Sequence, residues 1–274
     1  MAKNDIYQSI GGLAPEAQQR IIDRLEFRGR DPVFVAMREN YLDRMELASA
    51  KRILDLGCGT GVVTRAIAQR NDIGADIVGI DLSEALIAAA VGFARDEGLS
   101  DRVEFRVGDC HGLEDADSSF DAVVTHTLIS HVSDPAAFIA QAARVAAPGS
   151  LIAVFDGDYS SMTFGAGDAE QNAGVVGGIL DAVVANPVVM RELPGLLKRN
   201  GLEMADFIPE LHAEAGEGSF FVNLAEAYVP MAVRAGAIAE ALAPDWLAAQ
   251  RAASESGTFF AACNYYTYLA RKPR

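Results

Sequence analysis

The stretch Ile53-Leu54-Asp55-Leu56-Gly57-Cys58-Gly59-Thr60-Gly61 constrains this chain more than any other: a short hydrophobic run passes into three alternating glycines and then into a helical pattern. Glycines let a backbone turn tightly and lie close to a ligand, and the helix that follows offers unpaired N–H groups. A strand, glycine loop and helix in this order open an α/β sheet whose ligands sit beyond the carboxyl ends of its strands.

The rest of the chain keeps that rhythm. Arg52–Leu56, Asp76–Ile80, Val103–Val107, Phe120–Thr125 and Leu151–Phe155 read as strands, with helices over Thr60–Arg70, Ser83–Glu97 and Asp134–Ala146, the last with Pro135 in its first turn. Strands joined by crossover helices imply a parallel, doubly wound sheet. Leu202–Ile208 and Thr258–Leu269 supply two further strands, so the expected fold is a Rossmann-like α/β sheet of seven strands.

Two helices precede the sheet. In the second, Asp31 caps, Pro32 opens the first turn, and Phe34, Met37, Tyr41, Leu42 and Met45 share a face. After Asp156 the rhythm breaks into a glycine-rich stretch from Gly157 to Gly178, read as cap or lid; Pro187–Asn200 and most of Ser219–Arg251 are helical. The expected organisation is one catalytic unit: an N-terminal helical cover over 1–50, a cofactor-binding core over 51–156, and the remaining sheet with cap insertions over 157–274.

The glycine loop competes with a dinucleotide fingerprint, because Asp81 lies about 20 residues on, where a ribose-binding acid is expected. Against it, the third glycine would fall at position 62, which is Val62, and Asp55 stands before the first glycine. A cofactor without a pyrophosphate fits this pattern better.

Leu54 to Gly61 resembles motif I of class I S-adenosylmethionine-dependent methyltransferases of the small-molecule, quinone-methylase-like kind. The later landmarks of that family follow in order: Val78-Gly79-Ile80-Asp81-Leu82-Ser83, Gly108-Asp109-Cys110, Phe120-Asp121-Ala122-Val123-Val124, and Arg144-Val145-Ala146-Ala147-Pro148-Gly149, so that residues 50–156 carry the resemblance. It implies S-adenosylmethionine as cofactor and S-adenosylhomocysteine as product. It further implies that Gly57, Cys58 and Gly59 face the methionine part, that Asp81 binds both ribose hydroxyls, and that Asp109 and the backbone of Cys110 hold the adenine. Leu82 and Thr125, at strand ends, are counted with them. Arg28 and Tyr41 in the N-terminal helices are read either as cofactor contacts or as a solvated charge and a core aromatic. Asp55 is read as loop scaffold.

His111, His126 and His131 fall where strand ends meet such a pocket. His126 and His131 are the candidate general bases for an acceptor that must lose a proton, or else they shape the loop before the next helix. No zinc-ligand spacing, paired-carboxylate arrangement or GxSxG elbow is present, and no metal is expected. The elements typical of amino-group and cytosine-C5 DNA methyltransferases are also missing. Acceptor recognition is expected from Asp156-Gly157-Asp158-Tyr159 and from a cap bearing Phe164, Phe220, Phe221, Tyr228, Met231 and Trp246, whose composition suits a hydrophobic or aromatic small molecule.

The formal net charge of −15, from 23 basic and 38 acidic residues, opposes nucleic acid and anionic lipid as partners. Three dispersed cysteines fit a reducing, cytoplasmic setting. No uncharged run reaches the length of a membrane span, and residues 1–5 begin no export signal. The sequence is compatible with a homo-oligomer. The rival readings are an NAD(P)-dependent oxidoreductase and a cofactor binder that performs no transfer.

Overall fold

The computed structural model describes residues 10–274; residues 1–5, read above for an export signal, lie outside them. Helix α1 (Pro15–Arg30) runs into Asp31, whose Oδ1 accepts from the N–H groups of Val33 (3.0 Å) and Phe34 (3.2 Å) and so caps α2 (Pro32–Leu42). Phe34, Met37, Tyr41 and Leu42 bury the α2 face that the periodicity marks.

The core alternates β1 (Arg52–Leu56), α3 (Val62–Ala68), β2 (Asp76–Asp81), α4 (Glu84–Asp96), β3 (Val103–Val107), β4 (Phe120–His126), α5 (Pro135–Val145) and β5 (Ala146–Phe164). There follow α6 (Ala169–Val183), α7 (Val189–Arg199), β6 (Glu203–Gly216), α8 (Phe220–Arg234), α9 (Ala243–Glu255) and β7 (Phe259–Arg271). One seven-stranded sheet results, in the order β3-β2-β1-β4-β5-β7-β6. The first five strands are parallel, and β7 runs antiparallel between β5 and β6. Strand order reverses between β1 and β4, which opens a crevice at their carboxyl ends.

The glycine-rich stretch is not the lid expected of it. β5 continues without a break through Gly157 and Asp158 to Phe164, paired with β7 as Asp156↔Tyr266, Asp158↔Asn264 and Phe164↔Ala261, with a bulge before Thr163. The remainder of the stretch enters α6, which Asp168 caps through the Gln171 N–H. The residues between β6 and β7 form α8 and α9, while the two strands themselves pair from Glu203↔Arg271 to Gly216↔Phe259.

This extension is a packed core. Phe220, Phe221 and Trp246 are almost fully buried, and Phe164 meets Trp246, Phe221 and Phe259 edge to face. The Trp246 indole N–H donates to Asn172 Oδ1 at 2.7 Å, as a buried indole requires. Phe164, Phe220, Phe221 and Trp246 are therefore spent on internal packing, while Tyr228 and Met231 stay half-buried.

α1 is pinned to the sheet by buried charge. Glu26 Oε1 accepts from Thr60 Oγ1 (2.7 Å) and Arg65 Nη2 (2.6 Å), and Arg65 also pairs with Glu97. Removing the buried Glu26 carboxylate leaves Arg65 only partly compensated, so Glu26→Ala is expected to cost about 3 kcal/mol in urea unfolding. A loss under about 0.5 kcal/mol, the level of a surface change, would mean that this triad does not hold the cover.

Candidate cofactor and active site

A cavity of ≈ 260 Å³ lies at the switch point, walled by the carboxyl ends of β1, β2 and β4, the loop after β3, and α1. Gly57 and Gly59 hold φ of +74° and +55°, the left-handed region that side chains avoid. A Cβ on Gly57 would stand 2.3 Å from the nearest Leu128 side-chain atom, so the loop at 57 packs directly on the loop after β4. That second loop is bent by Thr127, at φ 54°, whose N–H reaches the Phe155 carbonyl at 2.7 Å.

Asp81 ends β2 facing the cavity. Its Oδ2 accepts from the Gly59 N–H and its Oδ1 from the Ser83 N–H, both at 2.9 Å, so one carboxylate ties the glycine loop to the start of α4. Burial pushes the Asp81 carboxyl up, and these N–H groups oppose the push. Its remaining lone pairs are free for a ligand diol.

Asp55 lines the same cavity from beneath. Its Oδ2 accepts from Thr64 Oγ1 at 2.6 Å, while Oδ1 is buried with no partner among the described residues. Burial raises its carboxyl to about 7 against Thr64's opposing hydrogen bonds. A carboxyl held above its unfolded value stabilises the fold most fully at low pH and loses that contribution as pH rises through about 7. Asp55→Asn does not titrate, so its stability relative to wild type should increase between about pH 5 and about pH 8. A relative stability that stays flat in ligand-free denaturation at both pH values would refute the raised carboxyl.

At the other end, Leu82 is 55 % exposed and, with Cys110 and Val132, lines the cavity around Asp109. The Asp109 carboxyl is held down by the His111 N–H, and its Oδ1 also meets His111 Nδ1 at 2.9 Å. The His111 ring reaches on to the Asp134 N–H at 3.4 Å, closing this end against α5. Burial pushes the Cys110 thiol up to about 12, so the thiol stays protonated.

Arg28, Gly57, Cys58, Gly59, Asp81, Leu82, Asp109, Cys110, His126 and His131 all line the cavity. Tyr41 and Thr125 do not line it, and of the two readings of Tyr41 its placement is that of the core aromatic. Tyr41 is fully buried on the α2 face against Phe155, and its hydroxyl meets His126 Nδ1 at 3.1 Å; Thr125 is enclosed within β4. His126 stacks on Phe155 at 4.3 Å, and burial, together with Arg28 and Arg38, holds its imidazole well down in the neutral form.

His131 sits on the loop after β4, its N–H bonded to the Leu128 carbonyl at 2.8 Å. Behind it lies Asp156, fully buried, its carboxylate held by the N–H groups of Ser130 (3.0 Å) and Gly157 (2.8 Å). Burial raises the Asp156 carboxyl, and the nearby His131 is the largest influence opposing that rise. Sequence reading placed Asp156 with the acceptor loops and did not connect it to His131. Glu26, Thr127 and Leu128 escaped it altogether, since their contacts join distant segments and follow no local motif.

The dinucleotide alternative fails on geometry. A pyrophosphate needs the helix N-terminus after the loop. Here Gly29 packs so tightly on Val62 that an added Cβ would stand 2.7 Å from it, and the Glu26 carboxylate is buried at Thr60. A carboxylate buried at the start of that helix disfavours a pyrophosphate there.

Fold and site together define a class: a doubly wound α/β protein with a reversed seventh strand and an acid-lined cavity at its switch point. Residues 47–215 match the family model of a methyltransferase domain, and the chain belongs to that family. It is 30% identical over 232 residues to an uncharacterized 37.1 kDa protein in transposon TN4556 of Streptomyces fradiae, covering 84% of this chain and 65% of that one. It is 38% identical over 115 residues to a ubiquinone biosynthesis O-methyltransferase of Hahella chejuensis, covering 42% of this chain and 46% of that protein. The crystal structure of a methyltransferase-like protein from Bacillus halodurans superposes with a TM-score of 0.61 at 16% identity, over 86% of this chain and 99% of the other. At that identity the likeness concerns the fold.

Proposed function

We propose that this chain is an S-adenosylmethionine-dependent methyltransferase acting on an oxygen or nitrogen of a small molecule. The observation that carries the reading is the cavity in which Asp81, bonded to Gly59 and Ser83, faces Asp109 across the end of the sheet. The donor set fits the cofactor: Asp81 suits a ribose diol, the buried orphan oxygen of Asp55 suits an ammonium, and the left-handed turns at Gly57 and Gly59 keep the loop backbone in the cavity wall. When bound, the cofactor supplies a methyl group on a positively charged sulfur.

The chain's own part is alignment, exclusion of water and removal of a proton. Arg28 and Gly29 of α1 close one side of the cavity, and His126 with Leu128 forms the floor. His131, supported by Asp156, accepts the proton that a hydroxyl or amine loses as it takes the methyl group. This favours oxygen and nitrogen acceptors over carbon, in line with the O-methyltransferase and the norajmaline N-methyltransferase of Rauvolfia serpentina among its relatives.

The charge of −15 supports an acceptor other than nucleic acid, and three free cysteines support a cytoplasmic setting. No helix of the described residues is long and apolar enough to cross a membrane. Calorimetry with S-adenosylhomocysteine and with NAD tests the cofactor: binding of the first and not the second is expected, and the reverse overturns the reading. Labelled S-adenosylmethionine with a metabolite extract should give labelled small products; label confined to RNA or protein would overturn the acceptor class.

A further inference from the structure

A second cleft, of ≈ 370 Å³, lies between α1 and α8, apart from the cavity described above. Arg20, Arg24 and Arg234 line it around an apolar bed that includes Ile21, Tyr228 and Met231. Three guanidinium groups converging on one cleft stand out in a chain with 23 basic against 38 acidic residues. The one acid in the lining, Glu226, is drawn away to Arg251 at 2.6 Å.

The three arginines differ in how they are held. Arg24 is fixed: its Nη1 donates to Asn223 Oδ1, and its guanidinium lies 5.0 Å from the Phe220 ring centre and 5.2 Å from that of Tyr228. That clamp sets the fork in place without neutralising it. Arg20 and Arg234 make no ion pair or hydrogen bond among the described residues, so their donors remain for an incoming group. Arg28, two turns on from Arg20 along α1, lines the cofactor cavity, so the helix carries the two sites on successive turns.

We propose that the cleft between α1 and α8 is a second binding site, for a small amphiphile with one anionic head, a carboxylate or a phosphate monoester, and a short apolar body. The head is taken by Arg20, Arg24 and Arg234, since planar guanidinium groups match both oxyanions with paired N–H donors. The body lies on Ile21 and Met231. A volume of ≈ 370 Å³ falls in the range of small-molecule sites.

The test is calorimetry on the full chain with octyl phosphate, octanoate and octanol as probes, in the presence of saturating S-adenosylhomocysteine. Saturable binding of at least one anion, with octanol about tenfold or more weaker, is expected, and each of Arg20→Gln and Arg234→Gln should weaken the anion about tenfold. Stronger binding of octyl phosphate than octanoate identifies a phosphate head; the reverse identifies a carboxylate. Equal binding of octanol, or unchanged affinity in both arginine variants, overturns the proposal. Binding that vanishes only when S-adenosylhomocysteine is present also overturns it, because the amphiphile then occupies the cofactor cavity. Both variants lie on exposed positions, so folding is preserved, and circular dichroism verifies it.

Discussion

Asp81→Ala is expected to weaken S-adenosylhomocysteine binding by about 10² to 10⁴ while leaving the fold in place. The carboxylate has two tasks at once. It fixes the glycine loop through the Gly59 N–H and the start of α4 through the Ser83 N–H, and it offers its remaining lone pairs to the ligand. Hydrogen bonds to a charged acceptor contribute about 1.5–3 kcal/mol each, and losing two toward a diol amounts to the stated range. β2 itself depends on neither task, because its backbone pairs with β1 and β3 on both sides. Burial also raises the Asp81 carboxyl, so its charge is a strain on the ligand-free fold above its unfolded titration range. The ligand-free variant should therefore unfold near the wild-type denaturant midpoint while calorimetry records the loss. Asp81→Asn, which keeps one acceptor oxygen, should fall between the two. Wild-type affinity in the alanine variant would place the ligand elsewhere.

How much of this was legible in the sequence depends on whether a feature is local. Asp31 caps α2 as its place before Pro32 predicts, because a cap bonds to N–H groups two or three residues on, and Ser83 and Asp134, read as helix starts, cap α4 and α5. The glycine loop and the acids at 81 and 109 are legible for the same reason: each follows a strand directly. β5 is the opposite case. Gly157, Asp158, Ser160 and Ser161 are poor strand formers, and local propensity ends the strand at Phe155. Pairing with the aromatic β7 segment carries β5 nine residues further, to Phe164, with a bulge absorbing the misfit. Tertiary pairing here overrides propensity.

Tyr41 shows the same limit at the level of a side chain. Helical periodicity marks it as buried, which it is, yet nothing in the pattern around position 41 points to His126, 85 residues away. The Glu26 to Arg65 contact, 39 residues apart, and the Ser130 to Asp156 contact, 26 apart, are equally invisible. What the sequence identifies is most of the cavity lining at the strand ends; the groups that support that lining come from the packing of α1, β5 and the loop after β4.

The acceptor side makes the second large prediction. If His131 takes the acceptor's proton, His131→Ala should lower kcat by about 10²–10⁴ and leave S-adenosylhomocysteine affinity within a few-fold of wild type, the range ordinary for loss of a general base. The pH profile separates this role from loop shaping. A wild-type enzyme that needs a base should show an ascending limb of kcat with pH, and this limb should be missing in His131→Ala. Asp156→Asn leaves the imidazole in place and removes the negative charge behind it. The imidazole then loses a supporting neighbour, so kcat should drop with KM little changed. His126 is the internal control: neutral, stacked on Phe155 and bonded to Tyr41, it is placed to shape the floor. Tyr41→Phe should therefore leave the ascending limb where it is. A limb that survives in His131→Ala would assign the proton to another group, and a kcat unchanged in that variant would mean that the acceptor reacts without losing one.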